Sequence, residues 1–166
     1  GDGPPALLAL DASLVLARKG GERTVPLDGF FTAYRKTQLE PGEIVRSVVV
    51  PKPFPDVQRF FKVSKRILDD ISTVAAGFAL WTDGGLITKA RLAYGGVAAT
   101  PMCAHDAQAA LVGKQLEPSA LADVVPLLGT AFTPIDDHRG SARYRAAMVS
   151  QLILKLAHEA HPEAAE

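Results

Sequence analysis

The sequence predicts an α+β fold: a β-hairpin and a proline-rich connection lead into a three-stranded antiparallel sheet packed with helices. Three observations carry this. Runs rich in apolar and β-branched residues occupy 58–67, 71–82 and 86–97, and Asp83-Gly84-Gly85 joins the last two as a hairpin turn. Residues 102–112 and 117–129 are rich in Ala and Leu and read as helices. From a start near Ser141, the residues Tyr144, Met148, Val149, Leu152, Ile153 and Leu156 recur at helical spacing.

The earlier elements follow from local chemistry. Pro4 and Pro5 can open a short helix over residues 6–10, since proline is tolerated in a first turn. Leu14 and Leu16 alternate before a turn at Gly20-Gly21, and the chain returns through Thr24 and Val25 as a hairpin. Residues 27–43 read as short helical or irregular structure ending at Pro41-Gly42, and the β-branched run 44–50 as a strand. Three prolines within 51–55 cannot sit inside a central strand or helix. They divide the chain into 1–52 and 56–166. The start at Gly1, in "GDGPPALLALDA", reads as the continuation of something longer.

Composition excludes several classes. Eighteen basic residues balance eighteen acidic ones, and no basic stripe of the kind that grips nucleic acid is present. No apolar run has the length of a bilayer span, and no secretory leader opens the chain. A soluble, cytoplasmic chain is expected. Cys103 is the only cysteine, so this chain contains no internal disulfide and no cysteine-built metal or iron–sulfur site.

Most candidate constellations have a plain reading. Gly1 and Gly3 around Asp2 lack the Gly-Lys-Ser/Thr step of a phosphate loop and read as a turn. His158 and His161 share helical spacing but have no third ligand nearby. Cys103 beside His105 reads as a small buried residue, and Asp136-Asp137 as a polar helix start. "FFKVSKRILDDIS", residues 60–72, is less easily dismissed. Alternation sets Phe61 and Val63 on one face and Lys62, Ser64 and Arg66 on the other, with Asp69 and Asp70 beyond. A strand this charged raises the question of what its outer face meets. Adjacent strand carboxylates point apart, which argues against an acid–base pair.

That stretch joins others in a consistent order. "DGPPALLALDASLVL", "FFTAYRKTQLEPGEIVRSVVVP", "FKVSKRILDDISTVAAGFAL", "ARLAYGGVAATPMCAHDAQAALVG" and "DHRGSARYRAAMVSQLIL" together resemble the flavoprotein part of the molybdenum hydroxylases, over nearly the whole chain. "YRKT" before "PGEI", and "SKR" before "DDIS", favour the xanthine dehydrogenase small subunit over the carbon monoxide dehydrogenase flavoproteins, with a flavoprotein subunit of another molybdenum hydroxylase, of the aldehyde oxidase or carbon monoxide dehydrogenase type, as the alternative. The resemblance implies that residues 1–52 end an FAD-binding subdomain and that 56–166 form the C-terminal domain closing over the flavin. It implies FAD here and NAD as electron acceptor. Iron–sulfur clusters and molybdopterin are placed in partner regions: an iron–sulfur domain, an upstream FAD subdomain and a molybdopterin-binding large subunit, in an oligomer of heterodimers. It implies FAD contacts from Asp2, Val45 and Lys62, with Asp69 and Asp70 in a loop near the flavin edge, and no certain catalytic residue. FAD binding by these residues alone is expected to be weak, since the glycine-rich pyrophosphate loops lie upstream in the family. A non-catalytic docking domain, binding protein through Lys62 and Asp69, is the alternative from another class.

Overall fold

The computed structural model describes residues 2–66 and 70–160. Helix α1 (Gly3–Ala9) carries Pro4 and Pro5 in its first turn and starts earlier than the apolar pattern indicates. Strands β1 (Ser13–Arg18) and β2 (Gly21–Pro26) form the expected hairpin, and β5 (Ile44–Val49) pairs with the other side of β1. The hairpin turn is Lys19-Gly20, since Arg18 pairs with Gly21, and Gly20 takes φ 101°. Between them, the stretch expected to be helical or irregular contains a small ladder of β3 (Phe31–Ala33) and β4 (Lys36–Thr37).

The main sheet has the order β6-β7-β8-β9, all antiparallel, formed by β6 (Val57–Val63), β7 (Val74–Asp83), β8 (Leu86–Gly95) and β9 (Met102–Cys103). Sequence reasoning finds three of these strands. It reads the two-residue β9 as the start of α2 (His105–Leu111), because so short a strand has no period to detect. The stretch expected as one helix over 117–129 is two, α3 (Pro118–Asp123) and α4 (Val125–Thr130). Helix α5 (Ala142–Ala160) starts where expected: the Ser141 hydroxyl accepts the Tyr144 N–H at 3.1 Å, and Asp136 accepts the Ala142 N–H at 2.8 Å.

Alternation along β7 separates two cores. Val74, Ala76, Phe78 and Leu80 face α2–α5, where they meet Leu92 and Tyr94 of β8 and Leu152, Ile153 and Leu156 of α5. Phe61, Phe78, Tyr94 and Phe132 form a chain of tilted and edge-on rings with centroids 5.9, 5.4 and 5.1 Å apart. The opposite face carries Ala79 and Ala93, which join Leu8 and Ala9 of α1, Leu14 and Leu16 of β1 and Phe30 in a second core. Both faces of β7 are therefore buried, and its sequence is almost continuously apolar.

Helix α1 lies close because the sheet beneath it is stripped of side chains. A Cβ on Gly77 would stand 2.6 Å from the Pro5 carbonyl oxygen and 3.0 Å from Ala9 Cβ, and one on Gly95 would stand 2.7 Å from Pro5 Cγ. Gly77→Ala therefore forces backbone apart and should destabilise the fold by about 1–3 kcal/mol, read as a lowered urea midpoint. An unchanged midpoint would show that the contact is slack.

The start of β5 is tied to β2 by Arg23, whose Nε lies 2.7 Å from Glu43, while Glu43 also accepts the Glu40 N–H at 2.8 Å. Chiefly through the Arg23 bond, and then that N–H, the Glu43 carboxyl falls from 4.5 to about 2. A depressed folded-state value contributes stability above the unfolded value, lost as pH falls through the folded one. Glu43→Gln should therefore be less stable than the parent near neutral pH, and the difference should close between pH 4.5 and about 2. A difference that persists unchanged with pH would contradict this.

Candidate functional site at the edge of the main sheet

Strand β6 is an edge strand, and its alternation resolves the question raised by its charges. Val57, Phe61 and Val63 pack into the helix-side core, where Phe61 also lies under the Lys155 ammonium, 5.3 Å from the ring centroid. Lys62 points to the α1 side, opposite Ala75. There its Nζ reaches Asp2 Oδ2 at 2.9 Å and donates to the Asp70 carbonyl at 2.6 Å. The second Asp2 oxygen accepts the Ser72 hydroxyl. Residues 60 positions apart in sequence thus meet because α1 is pressed onto the sheet.

Burial pushes the Asp2 carboxyl up, but the Ser72 hydroxyl and the Lys62 ammonium outweigh it, and the net direction is down. Asp2 is held as a carboxylate. Asp70 has a different task. Its Oδ2 accepts the Arg66 N–H and its Oδ1 the Ile71 N–H, each at 2.9 Å, with Arg66 Nη2 3.8 Å away. The Arg66 N–H first, with the Ile71 N–H and the Arg66 charge, draws the Asp70 carboxyl down. Asp70 braces its own loop, and it is the carbonyl of this residue that addresses Lys62.

Of the residues that sequence reasoning places at the site, the fold brings Asp2, Lys62 and Asp70 together. Val45 stands apart from them, exposed on β5 and paired with Leu16. Asp69 lies outside the described residues, as does His161. Cys103 is buried, which pushes its thiol up to about 12, and His105 Nε2 lies 3.6 Å from Asp28, so no thiolate–imidazole pair is assembled. Among the described residues, no three His, Cys, Asp or Glu side chains group as metal ligands do.

An open groove of about 480 Å³ follows the backbone from Lys62 to Arg66. A cleft of about 280 Å³ adjoins it, walled by Ser64, Lys65 and Thr73 on one side and by Arg139, Ser141 and Tyr144 on the other. Lys65 Nζ spans the two walls to the His138 carbonyl at 2.6 Å. Sequence reasoning misses this second wall, and it places Tyr144 on the apolar face of α5. Tyr144 is instead exposed at the cleft, and Arg145, only 3% exposed, takes the buried place. The signal is present: Arg145, Val149, Leu152 and Leu156 share one helical stripe, which puts a guanidinium in line with core residues.

The fit to a flavin can be tested on these residues. A lysine fixed on both sides at the sheet edge, with Lys65 and Arg66 along the same groove, suits an anionic ligand edge. Both parts of the chain are also similar to known proteins. Residues 1–53 match the FAD binding domain in molybdopterin dehydrogenase, and residues 59–160 match the CO dehydrogenase flavoprotein C-terminal domain. Nicotinate hydroxylase of Emericella nidulans is 34% identical over 159 residues, spanning 91% of this chain and 12% of that protein. Xanthine dehydrogenase of Blastobotrys adeninivorans is 32% identical over 160 residues, spanning 91% of this chain and 11% of that protein. The solved carbon monoxide dehydrogenase from Hydrogenophaga pseudoflava superposes with a TM-score of 0.86 at 31% identity, over 93% of this chain and 54% of that one. The present chain thus spans about half the length of the carbon monoxide dehydrogenase chain and a much smaller share of the two longer relatives. It belongs to the FAD-binding flavoproteins of the molybdenum hydroxylase family.

Proposed function

We propose that this chain is the flavin-side portion of a xanthine dehydrogenase, in which electrons leave molybdenum and iron–sulfur centres in partner regions and pass through FAD to NAD. In this reading residues 1–52 complete the FAD subdomain and 56–166 close over the flavin. The carrying observation is the Lys62 ammonium, held at the sheet edge between the Asp2 carboxylate and the Asp70 carbonyl.

FAD supplies the two-electron chemistry when bound. The residues of this chain supply the electrostatics. Reduced flavin carries negative charge toward its pyrimidine edge, and a fixed ammonium favours that state. Asp2 opposes it, being a carboxylate on the same cation. The pair therefore sets a balance, with Lys62 favouring reduction and Asp2 restraining it. The groove and the cationic cleft beside Lys62 offer an approach for a dinucleotide acceptor, whose phosphates suit Lys65 and Arg139.

The choice of xanthine rests on "YRKT" before "PGEI" and "SKR" before "DDIS". The relatives bear names with three different substrates, and the residues that select among them lie in the molybdenum-binding partner under this proposal. Offering xanthine, nicotinate and carbon monoxide in turn to the purified holoenzyme separates these readings: xanthine should bleach the flavin absorption, and so should NADH from the acceptor side. A holoenzyme bleached by nicotinate or carbon monoxide but not by xanthine would contradict the choice of xanthine, and one that NADH leaves oxidised would contradict NAD as acceptor.

Lys62→Met in that holoenzyme keeps much of the apolar stem and removes the charge. At an effective dielectric of about 20 the lost interaction is on the order of 1–3 kcal/mol, enough to lower the flavin midpoint potential by tens of millivolts. A redox titration indistinguishable from that of the parent would reduce Lys62 to a surface charge.

A further inference from the structure

Arg145 is a charged residue only 3% exposed, and it joins three separate segments. Its Nη1 donates to the Thr73 carbonyl at 2.5 Å and the Gly96 carbonyl at 2.8 Å. Its Nη2 meets Asp137 Oδ1 at 2.6 Å, and its Nε reaches the Gly140 carbonyl at 3.4 Å. Asp137 in turn accepts the Arg139 and Gly140 N–H groups at 2.8 and 3.2 Å, so the carboxylate shapes the turn that the guanidinium grips. The packing leaves no slack. A Cβ on Gly96, which has φ +79°, would stand 2.4 Å from the Thr73 oxygen, and one on Gly140 would stand 2.8 Å from Thr73 Cγ2.

The position of Thr73 gives this clamp its meaning. Ser72, its neighbour, donates to Asp2, and Asp70 offers its carbonyl to Lys62. Within four residues, one stretch of backbone contacts both members of the Lys62–Asp2 pair and ends on the Arg145 anchor. Thr73 also lines the cleft, opposite Arg139 and Gly140 of the gripped turn. A planar guanidinium is suited to hold this arrangement, because its rigid fork serves several acceptors at once, whereas an ammonium in the same place is a point charge. Thr73 keeps two other ties, its N–H to the Val63 carbonyl at 2.7 Å and its hydroxyl to the Arg139 carbonyl at 3.2 Å. Loss of the clamp should therefore loosen the stretch without unravelling the sheet.

We propose that Arg145, oriented by Asp137, is a positioning residue that fixes residues 70–73 against the 137–141 turn and thereby sets where Lys62 and Asp2 stand. The inference rests on the flavin reading of Lys62 for its functional consequence, but its physical part is independent. The test uses the holoenzyme with Arg145→Lys, and Asp137→Asn as a milder second variant, followed by redox titration of the flavin and by hydrogen exchange. In Arg145→Lys the amides of residues 70–73 and 137–141 should exchange at least about tenfold faster, while those of Ile153 to Leu156 keep the parent rate. The flavin midpoint potential should move in the same direction as in Lys62→Met, with Asp137→Asn showing the smaller change of the same sign. Parent-like exchange at 70–73 in both variants, or acceleration spread evenly over α5 and the sheet, overturns the proposal. An unmoved potential also overturns it wherever Lys62→Met does move the potential. Where Lys62→Met moves nothing either, the flavin reading of Lys62 has failed, and local exchange alone decides whether the clamp holds the stretch.

Discussion

The close approach of α1 to the main sheet is the constraint on which the rest depends. Gly77 and Gly95 leave room for Pro5, and the small residues Ala75, Ala79 and Ala93 extend that room along β7 and β8. Any side chain at Gly77 meets backbone, which cannot rotate away. Because α1 sits at this depth, Asp2 arrives beside Lys62 and Ser72, and the β1–β2 hairpin delivers Leu14 and Leu16 to the same core. The segments matching two families, 1–53 and 59–160, are thus joined through a shared core as well as through the proline-rich connection.

Magnitudes separate the pairs that hold the fold from those that serve the site. Lys62 and Asp2 retain 35% and 36% of their side-chain exposure, and a pair so open to water contributes about 0–1 kcal/mol to stability. The large apolar side chains of β7, Val74, Phe78 and Leu80, each contribute about 1.5–3 kcal/mol by burial. The fold does not need the Lys62–Asp2 pair. Arg145 differs because its guanidinium is almost wholly out of water, and it is tolerated there only because carbonyls and Asp137 surround it. One is a poised charge at a surface, and the other is a fixed strut beneath it.

Much of this was legible in the sequence, for definite reasons. The hairpin at β1–β2, β6 and α5 announce themselves because a period of two or of 3.6 survives over six or more residues, and β7 and β8 because apolar runs flank the Asp83-Gly84-Gly85 turn. The side of β6 on which Lys62 lies follows from the same alternation, with Phe61 and Val63 buried opposite it. The β3–β4 ladder and β9 are too short to show a period, while the break between α3 and α4 at Val124 has its signal in Pro126, which the surrounding Ala and Leu residues mask. The Asp2–Lys62 meeting was implied by resemblance alone. Periodicity cannot place a helix on a distant strand, although Gly77 and Gly95 mark where one approaches. The exposed place of Tyr144 and the buried one of Arg145 escape hydropathy because the arginine occupies a core stripe with its donors satisfied by backbone.

Under the proposed function, the Asp2 carboxylate at the start of α1 and the Lys62 ammonium of β6 together set the charge felt by the flavin. The most direct test is the flavin midpoint potential of the holoenzyme carrying Asp2→Asn, measured beside the parent. Removing the carboxylate leaves Lys62 unopposed, so the potential should rise with flavin content retained. A potential unchanged or lowered, with flavin still bound, would show that the Lys62–Asp2 pair does not govern the cofactor.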